Sequence, residues 1–181
     1  MKITFVTHNK GKVREFQEIL GNENIEHIEF EYPEIQSDDP VEIAKGGAKF
    51  CAEKFQKPVV VEDSGLFIPT LNGFPGTFSA TIHDQIGLKG VLKLMDGVLD
   101  RTCLYRSAIG FCVPGKEPIG FLGEEEGILA EKERGKNGFG HDPIFIPQGS
   151  TKTYAEMDNV EHVKLFRRRA LEKFNAYAKH L

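Results

Sequence analysis

The chain has 181 residues, of which 23 are basic and 27 acidic, for a net charge of −4. That length suits one domain, residues 1–181, burying about seventy per cent of its unfolded surface, and the charge excludes a general nucleic-acid binder while leaving room for a local basic pocket. Cys51, Cys103 and Cys112 are odd in number and lack CxxC spacing, and no signal peptide or membrane-length apolar run is present, so a reduced, cytoplasmic, soluble protein with no membrane contact is expected.

Lys2–Thr7 reads as a strand that runs into His8-Asn9-Lys10-Gly11-Lys12 and then a helix with Val13, Phe16 and Leu20 on one face. A strand, a short polar turn and a helix N-terminus form a natural anion site, because free backbone N–H groups and the positive end of the dipole converge there. Lys10 and Lys12 have the wrong sign for that dipole, so an anionic ligand would compensate them; a solvated, Thr/Asn-capped loop is the bland alternative. The spacing is not that of a Walker loop.

Ile25–Phe30 is a second strand, and Glu34, Asp38 and Asp39 follow as an acidic loop. Pro40 starts a helix with Ala44, Ala48, Cys51 and Phe55 on its buried face. Gly46-Gly47 inside it costs about 1 kcal/mol per glycine relative to alanine, which points to close packing against a neighbour.

Val59-Val60-Val61 is a β-branched run suited to a strand buried on both faces, and it is expected to end at Glu62-Asp63-Ser64-Gly65. Two adjacent carboxylates belong at a cleft mouth rather than unpaired in a core. Neighbouring strand residues point to opposite faces, so Glu62 and Asp63 should have different jobs. One is suited to hold a metal or activate water, the other to turn inward to a lysine or an amide.

Leu66–Thr81 reads as a functional loop and Asp84–Leu99 as an amphipathic helix with Leu88, Val91, Leu92 and Met95 inside. Cys103–Val113 and Ile119–Leu129 form a hairpin around Pro114–Glu117; Glu124–Glu126 reads as an exposed strand end without chemistry. In Arg134–Pro147, Gly135, Gly138 and Gly140 allow close backbone approach, Phe139 offers a flat apolar face, and His141-Asp142 sits where a base edge can be read. Ile144–Ile146 is a strand. Val163–Lys179 is the last helix, with Phe166, Ala170 and Phe174 in one row.

These pieces, in this order and over essentially the whole chain, resemble the Ham1 / inosine triphosphate pyrophosphatase family. The carrying motifs are Thr7-x-Asn9-x-x-Lys12, Pro33-Glu34, Glu62–Leu66, Phe74-Pro75-Gly76, Gly138–Phe145 with His141 at an aromatic position, Tyr154–Met157, and Arg167–Leu171. The resemblance implies an α/β fold with an elongated mixed sheet flanked by helices, two lobes with a nucleotide cleft between them, and a homodimer. It implies Mg²⁺ on Glu34 and on Glu62 or Asp63, with Asp63 and Lys12 catalytic. Thr7, Asn9, Lys10 and Lys12 would hold phosphates, the base would lie near Phe139 and Asp142 with Arg167 reading its 6-oxo group, and Ser64 and Gly140 would also bind substrate. The implied reaction is water attack on the α-phosphorus of inosine or xanthosine triphosphates, releasing pyrophosphate.

The chain departs from the family at one end of that site. A family lysine falls on Glu161, a Ser-His pair on Leu165-Phe166, and another lysine on Gly47. Replacement contacts from Lys152, His162, Lys164 or Arg168, a changed base preference on the same scaffold, or a nucleotide binder with little turnover are the rival expectations.

Overall fold

The computed structural model describes residues 3–21 and 25–180; Lys2, expected at the start of the first strand, lies outside them. Six strands form one mixed sheet in the order β2-β1-β3-β4-β5-β6. They are β1 (Ile3–Val6), β2 (Ile25–Ile28), β3 (Val59–Phe67), β4 (Thr102–Cys112), β5 (Ile119–Leu129) and β6 (Phe145–Pro147). β1 is parallel to both β2 and β3, whereas β3 to β6 pair antiparallel. The helices are α1 (Lys10–Leu20), α2 (Pro40–Phe55), α3 (Ser79–Leu94), α4 (Val160–Val163) and α5 (Leu165–Ala178).

The valine run is buried on both faces, as its composition requires. Val60 packs with Phe5, Phe16, Ile109, Ala170 and Phe174 towards α1 and α5. Val59 and Val61 pack with Val6, Ala44, Ala48 and Cys51 towards α2. A further core lies around the far halves of β3 to β5, where Leu66, Ile68, Val91, Met95, Tyr105, Phe145 and Phe166 meet.

Two expected boundaries move. β3 does not end at Glu62; it runs unbroken through Gly65 to Phe67, paired residue by residue with β4. The partner strand supplies hydrogen bonds along this polar stretch, so the carboxylates sit within the sheet rather than on a turn. α3 begins at Ser79, inside the expected loop, and ends at Leu94 rather than Leu99. Ser79 Oγ bridges that start to the sheet, accepting from the Leu66 amide at 2.9 Å and donating to the Gly76 carbonyl at 2.7 Å. Glu125, in the charge run expected to be exposed, is buried. Its Oε2 accepts from the Tyr154 hydroxyl and from the amides of Leu165 at 3.1 Å and Phe166 at 3.2 Å, anchoring the otherwise uncapped start of α5.

Candidate functional site

A cavity of about 610 Å³ opens where β1 ends and halfway along β3. Thr7–Asn9, Lys12, Tyr32, Glu34 and Glu62–Gly65 line one side; Thr77, Ser79–Thr81, His83, Asp84 and Phe139–Asp142 line the other, with Lys164, Phe166 and Arg167 behind. The volume suits a nucleotide-sized ligand.

The turn after β1 is fixed by its own side chains. Thr7 Oγ1 accepts from the Asn9 amide at 3.1 Å, and Asn9 Oδ1 accepts from the amides of Gly11 and Lys12 at 2.9 and 3.2 Å, capping α1. Lys12 reaches the cavity and donates to the Glu62 carbonyl at 2.9 Å while pairing with its carboxylate at 2.8 Å. Lys10 is exposed on the first turn of α1 and is not among the cavity residues.

Strand alternation separates the two carboxylates as expected. Glu62 faces α1 and α5 and is fully engaged: Ser107 Oγ donates to it at 2.5 Å, Arg167 Nε at 3.0 Å, and Lys12 pairs with its other oxygen. From there a buried ladder of alternating charge continues. Arg167 Nη1 closes on Glu15 Oε2, Glu15 Oε1 pairs with Lys164 Nζ at 2.6 Å, and Lys164 pairs with Asp142 at 2.7 Å. Arg167 Nη2 donates to Ser64 Oγ at 3.0 Å. Three cations, Lys12, Arg167 and Lys164, thus balance three anions, Glu62, Glu15 and Asp142. Burial pushes the Arg167 guanidinium down to about 9, which leaves it charged at neutral pH. Its N–H groups are directed at protein partners, so the residue expected to read a 6-oxo group here acts as the centre of the ladder.

Asp63 faces the α2 side, and its environment is the reverse. Its Oδ2 is buried without a hydrogen-bond partner. Burial raises its carboxyl to about 7, opposed by Lys12 and reinforced by the nearby charges of Glu62 and Glu34. Tyr32 stands between Asp63, Glu34 and α2, its phenol pushed up by burial and then by Glu34. The glycine at position 47 is explained by this ring: a Cβ there would lie 2.5 Å from Tyr32 Cε2, so no side chain fits while Tyr32 holds the wall. Among the described residues no three His, Cys, Asp or Glu side chains form a closed metal cage. The unpaired Asp63 oxygen with Glu34 on the same wall is nevertheless a fit for a hard divalent cation that keeps water and takes ligand oxygens, because such a cation needs only one or two protein carboxylates.

At the other end, Phe139 lies against α1 so closely that a Cβ on Gly11 would meet its ring at 2.6 Å, and Lys164 Nζ sits 4.3 Å from its centroid. Asp142 accepts from the Phe139 amide at 2.8 Å and from the Tyr105 hydroxyl at 3.3 Å besides pairing with Lys164, and burial raises its carboxyl. Gly140 lines the cavity beside it. Lys164, one of the candidate replacement cations, lines the cavity at this end, three residues after Glu161. Glu161 points elsewhere, pairing with Arg14 at 3.6 Å outside the cavity lining. Phe166 is buried and stacked on Tyr105 with centroids 4.5 Å apart and planes 16° apart.

Sequence reasoning missed Glu15, Tyr32, His83, Tyr105, Ser107 and Glu125. Glu15 carried a faint signal, a carboxylate beside Phe16 on the buried side of α1; the others read as ordinary strand or loop residues.

Residues 3–177 match the sequence model of the Ham1 family. A dITP/XTP pyrophosphatase of Methanopyrus kandleri is 48% identical over 182 residues, spanning 99% of this chain and 97% of the relative. One from Pyrococcus horikoshii is 45% identical over 182 residues, again 99% and 97% of the two chains. The structure of a HAM1 protein from Coxiella burnetii superposes with a TM-score of 0.83 at 31% identity, covering 99% of this chain and all (100%) of the other. The Staphylococcus aureus Ham1 protein gives 0.81 at 28%, with 98% of each chain covered. Fold, cavity and full-length similarity agree: this chain belongs to the Ham1 family.

Proposed function

We propose that this chain hydrolyses deaminated purine nucleoside triphosphates, of the ITP, dITP and XTP kind, to the monophosphate and pyrophosphate. The observation that carries the reading is one nucleotide-sized cavity joining the capped Thr7–Lys12 turn to the unpaired carboxylate of Asp63, in a chain similar along its length to dITP/XTP pyrophosphatases. Asp63 is the cavity carboxylate with an oxygen left without a partner, and so is the group placed to take a proton from water. Water attacks the α-phosphorus, its proton passes to Asp63, and the bond from that phosphorus to the bridging oxygen breaks with pyrophosphate leaving. Lys12 reaches the cavity beside the Thr7–Asn9 turn, where phosphate oxygens would rest. Glu34 and Asp63 would hold a divalent cation, taken as Mg²⁺, which supplies charge neutralisation for the polyphosphate when bound. Glu62 is a supporting residue, since its oxygens are already committed.

The working form in this reading is a homodimer in the cytoplasm; among the described residues no helix is long and apolar enough to cross a membrane. The test is pyrophosphate release over ITP, dITP, XTP, ATP, GTP and pyrimidine triphosphates, with Mg²⁺ and with excess chelator. Metal-dependent release favouring the deaminated purines is expected. Equal release from adenosine triphosphate, or full activity with chelator, would overturn the substrate or the metal assignment respectively.

A further inference from the structure

The connection from β2 to α2, residues 29–39, has no regular structure, and it carries Glu34 to the cavity. Among the described residues no hydrogen bond or ion pair holds the Glu34 carboxylate, so its place depends on how the backbone on either side is anchored. On the α2 side, Thr77 Oγ1 donates to the Ser37 carbonyl at 2.6 Å, and Asp39 caps the helix by accepting from the Val41 amide at 2.8 Å. On the β2 side the anchor is the ring of Tyr32, which lies on α2 at Gly47.

The two adjacent glycines of α2 differ in what stands over them. A Cβ on Gly46 would meet Ile35 Cδ1 at 3.6 Å, an ordinary contact. A Cβ on Gly47 would meet Tyr32 Cε2 at 2.5 Å and Cζ at 3.1 Å, so a side chain there displaces the ring. Both glycines weaken the helix, yet only Gly47 is required by a neighbour. Pro33 links this seat to Glu34, because its own φ is fixed and it confines Tyr32 to extended backbone. A shift of Tyr32 is thereby passed on to Glu34.

We infer that Tyr32, seated on Gly47, is a positioning residue that aims the Glu34 carboxylate at the unpaired oxygen of Asp63, so that one divalent cation meets both. The inference rests on the metal assignment in the function proposed above and names what builds that site in this chain. Tyr32, Glu34 and Asp63 line the same wall of the cavity, and the two carboxylates are close enough for their charges to repel, which a shared cation relieves.

The test follows binding of Mn²⁺, a cation that accepts the same carboxylate and water ligands as Mg²⁺, through the spectrum of the free ion over nucleotide-free protein. Gly47→Ala should weaken Mn²⁺ binding by about tenfold or more, as disturbing a group behind a metal ligand does. It should also raise the Mg²⁺ needed for half-maximal turnover of inosine triphosphate, while kcat at saturating Mg²⁺ falls much less. Gly46→Ala, the same change one residue earlier, should bind Mn²⁺ as the parent does. Tyr32→Ala should match Gly47→Ala, and the double variant should be no weaker than either, since both changes remove one contact. Tyr32→Phe keeps a ring on the helix and should stay close to the parent. In metal-free protein with ¹³C-labelled tyrosine, the Tyr32 ring signal should move in Gly47→Ala and stay in place in Gly46→Ala. Equal Mn²⁺ affinity in the two alanine variants, additive losses in the double variant, or a phenylalanine variant as weak as Tyr32→Ala would overturn the inference. Absence of Mn²⁺ binding in the parent would instead overturn the metal assignment, and the inference with it.

Discussion

The cavity has two ends built on opposite electrostatic plans. Along the α1–α5 side, Lys12, Glu62, Arg167, Glu15, Lys164 and Asp142 alternate in sign and are paired and balanced, all but Lys12 buried. One strand position away, on the α2 side, Asp63 is buried with an oxygen bonded to nothing and with Glu62 and Glu34 repelling its charge. The first arrangement spends its charges on itself and holds the wall in shape; the second leaves an electrostatic deficit that a cation or a proton must fill. Glu62 and Asp63 are neighbours in sequence, and only the strand pleat divides them between these roles. A motif containing both carboxylates therefore mixes a fully paired residue with one whose oxygen is left unpaired.

The largest effect should come from breaking the paired end. Arg167→Met leaves Glu15 and Glu62 facing each other without their shared cation, and removing one partner of a buried pair typically costs about 3–5 kcal/mol. Urea unfolding should show that loss together with lost activity. A variant with less than about 1 kcal/mol of destabilisation would show that the ladder is not what holds this wall.

Asp63→Asn should do the reverse, lowering kcat by about a hundredfold or more with the fold intact. Stability supplies an independent sign. The folded carboxyl is raised to about 7 from 3.8, so between those values the native state binds more protons than the unfolded one, and stability falls as pH rises through that window. Without metal, the asparagine variant should therefore be more stable than the parent at pH 8, by on the order of 2 kcal/mol, and nearly equal to it at pH 4. Thermal melts in chelator at both pH values check this. A variant less stable at pH 8 would mean that Asp63 is compensated by contacts, and the contrast between the two ends would fail.

Much of this was legible in the residues and some was not. Val59-Val60-Val61, the Pro40 helix and the paired runs around Pro114–Glu117 announce their elements because period and composition are local properties. The turn Thr7–Lys12 and the split of Glu62 from Asp63 were also readable, since capping and strand alternation follow from spacing. The extension of β3 to Phe67 was not, because its ladder to β4 involves residues about forty positions away. Nor was the commitment of Arg167 and Asp142, which depends on Glu15 in another helix. Gly47 read as a lost lysine until Tyr32, distant in the chain but touching in space, accounted for it.

The smallest effect sharpens the same contrast at its edge. By motif position Glu161 is a charge reversal inside the site, and Glu161→Lys with Phe166→His would then be expected to restore selectivity for 6-oxo purines. The structure separates the two residues. Phe166 is buried and stacked on Tyr105, so Phe166→His places an imidazole in a packed core and should destabilise without gain. Glu161 pairs with Arg14 across 3.6 Å, with the arginine side chain 57% exposed, so its charge is screened from the ladder and meets no cavity residue. Exposed pairs of this kind are worth about 0–1 kcal/mol. Glu161→Lys should accordingly change stability by no more than about 0.5 kcal/mol and leave the ratio of kcat/KM for inosine and adenosine triphosphates where it was. Lys164, fixed by Glu15 and Asp142, already places a cation at that end of the cavity, three residues further along. A several-fold rise in selectivity for inosine triphosphate in Glu161→Lys would show that this end of the site extends to α4, and that Lys164 has not taken over the lysine's place.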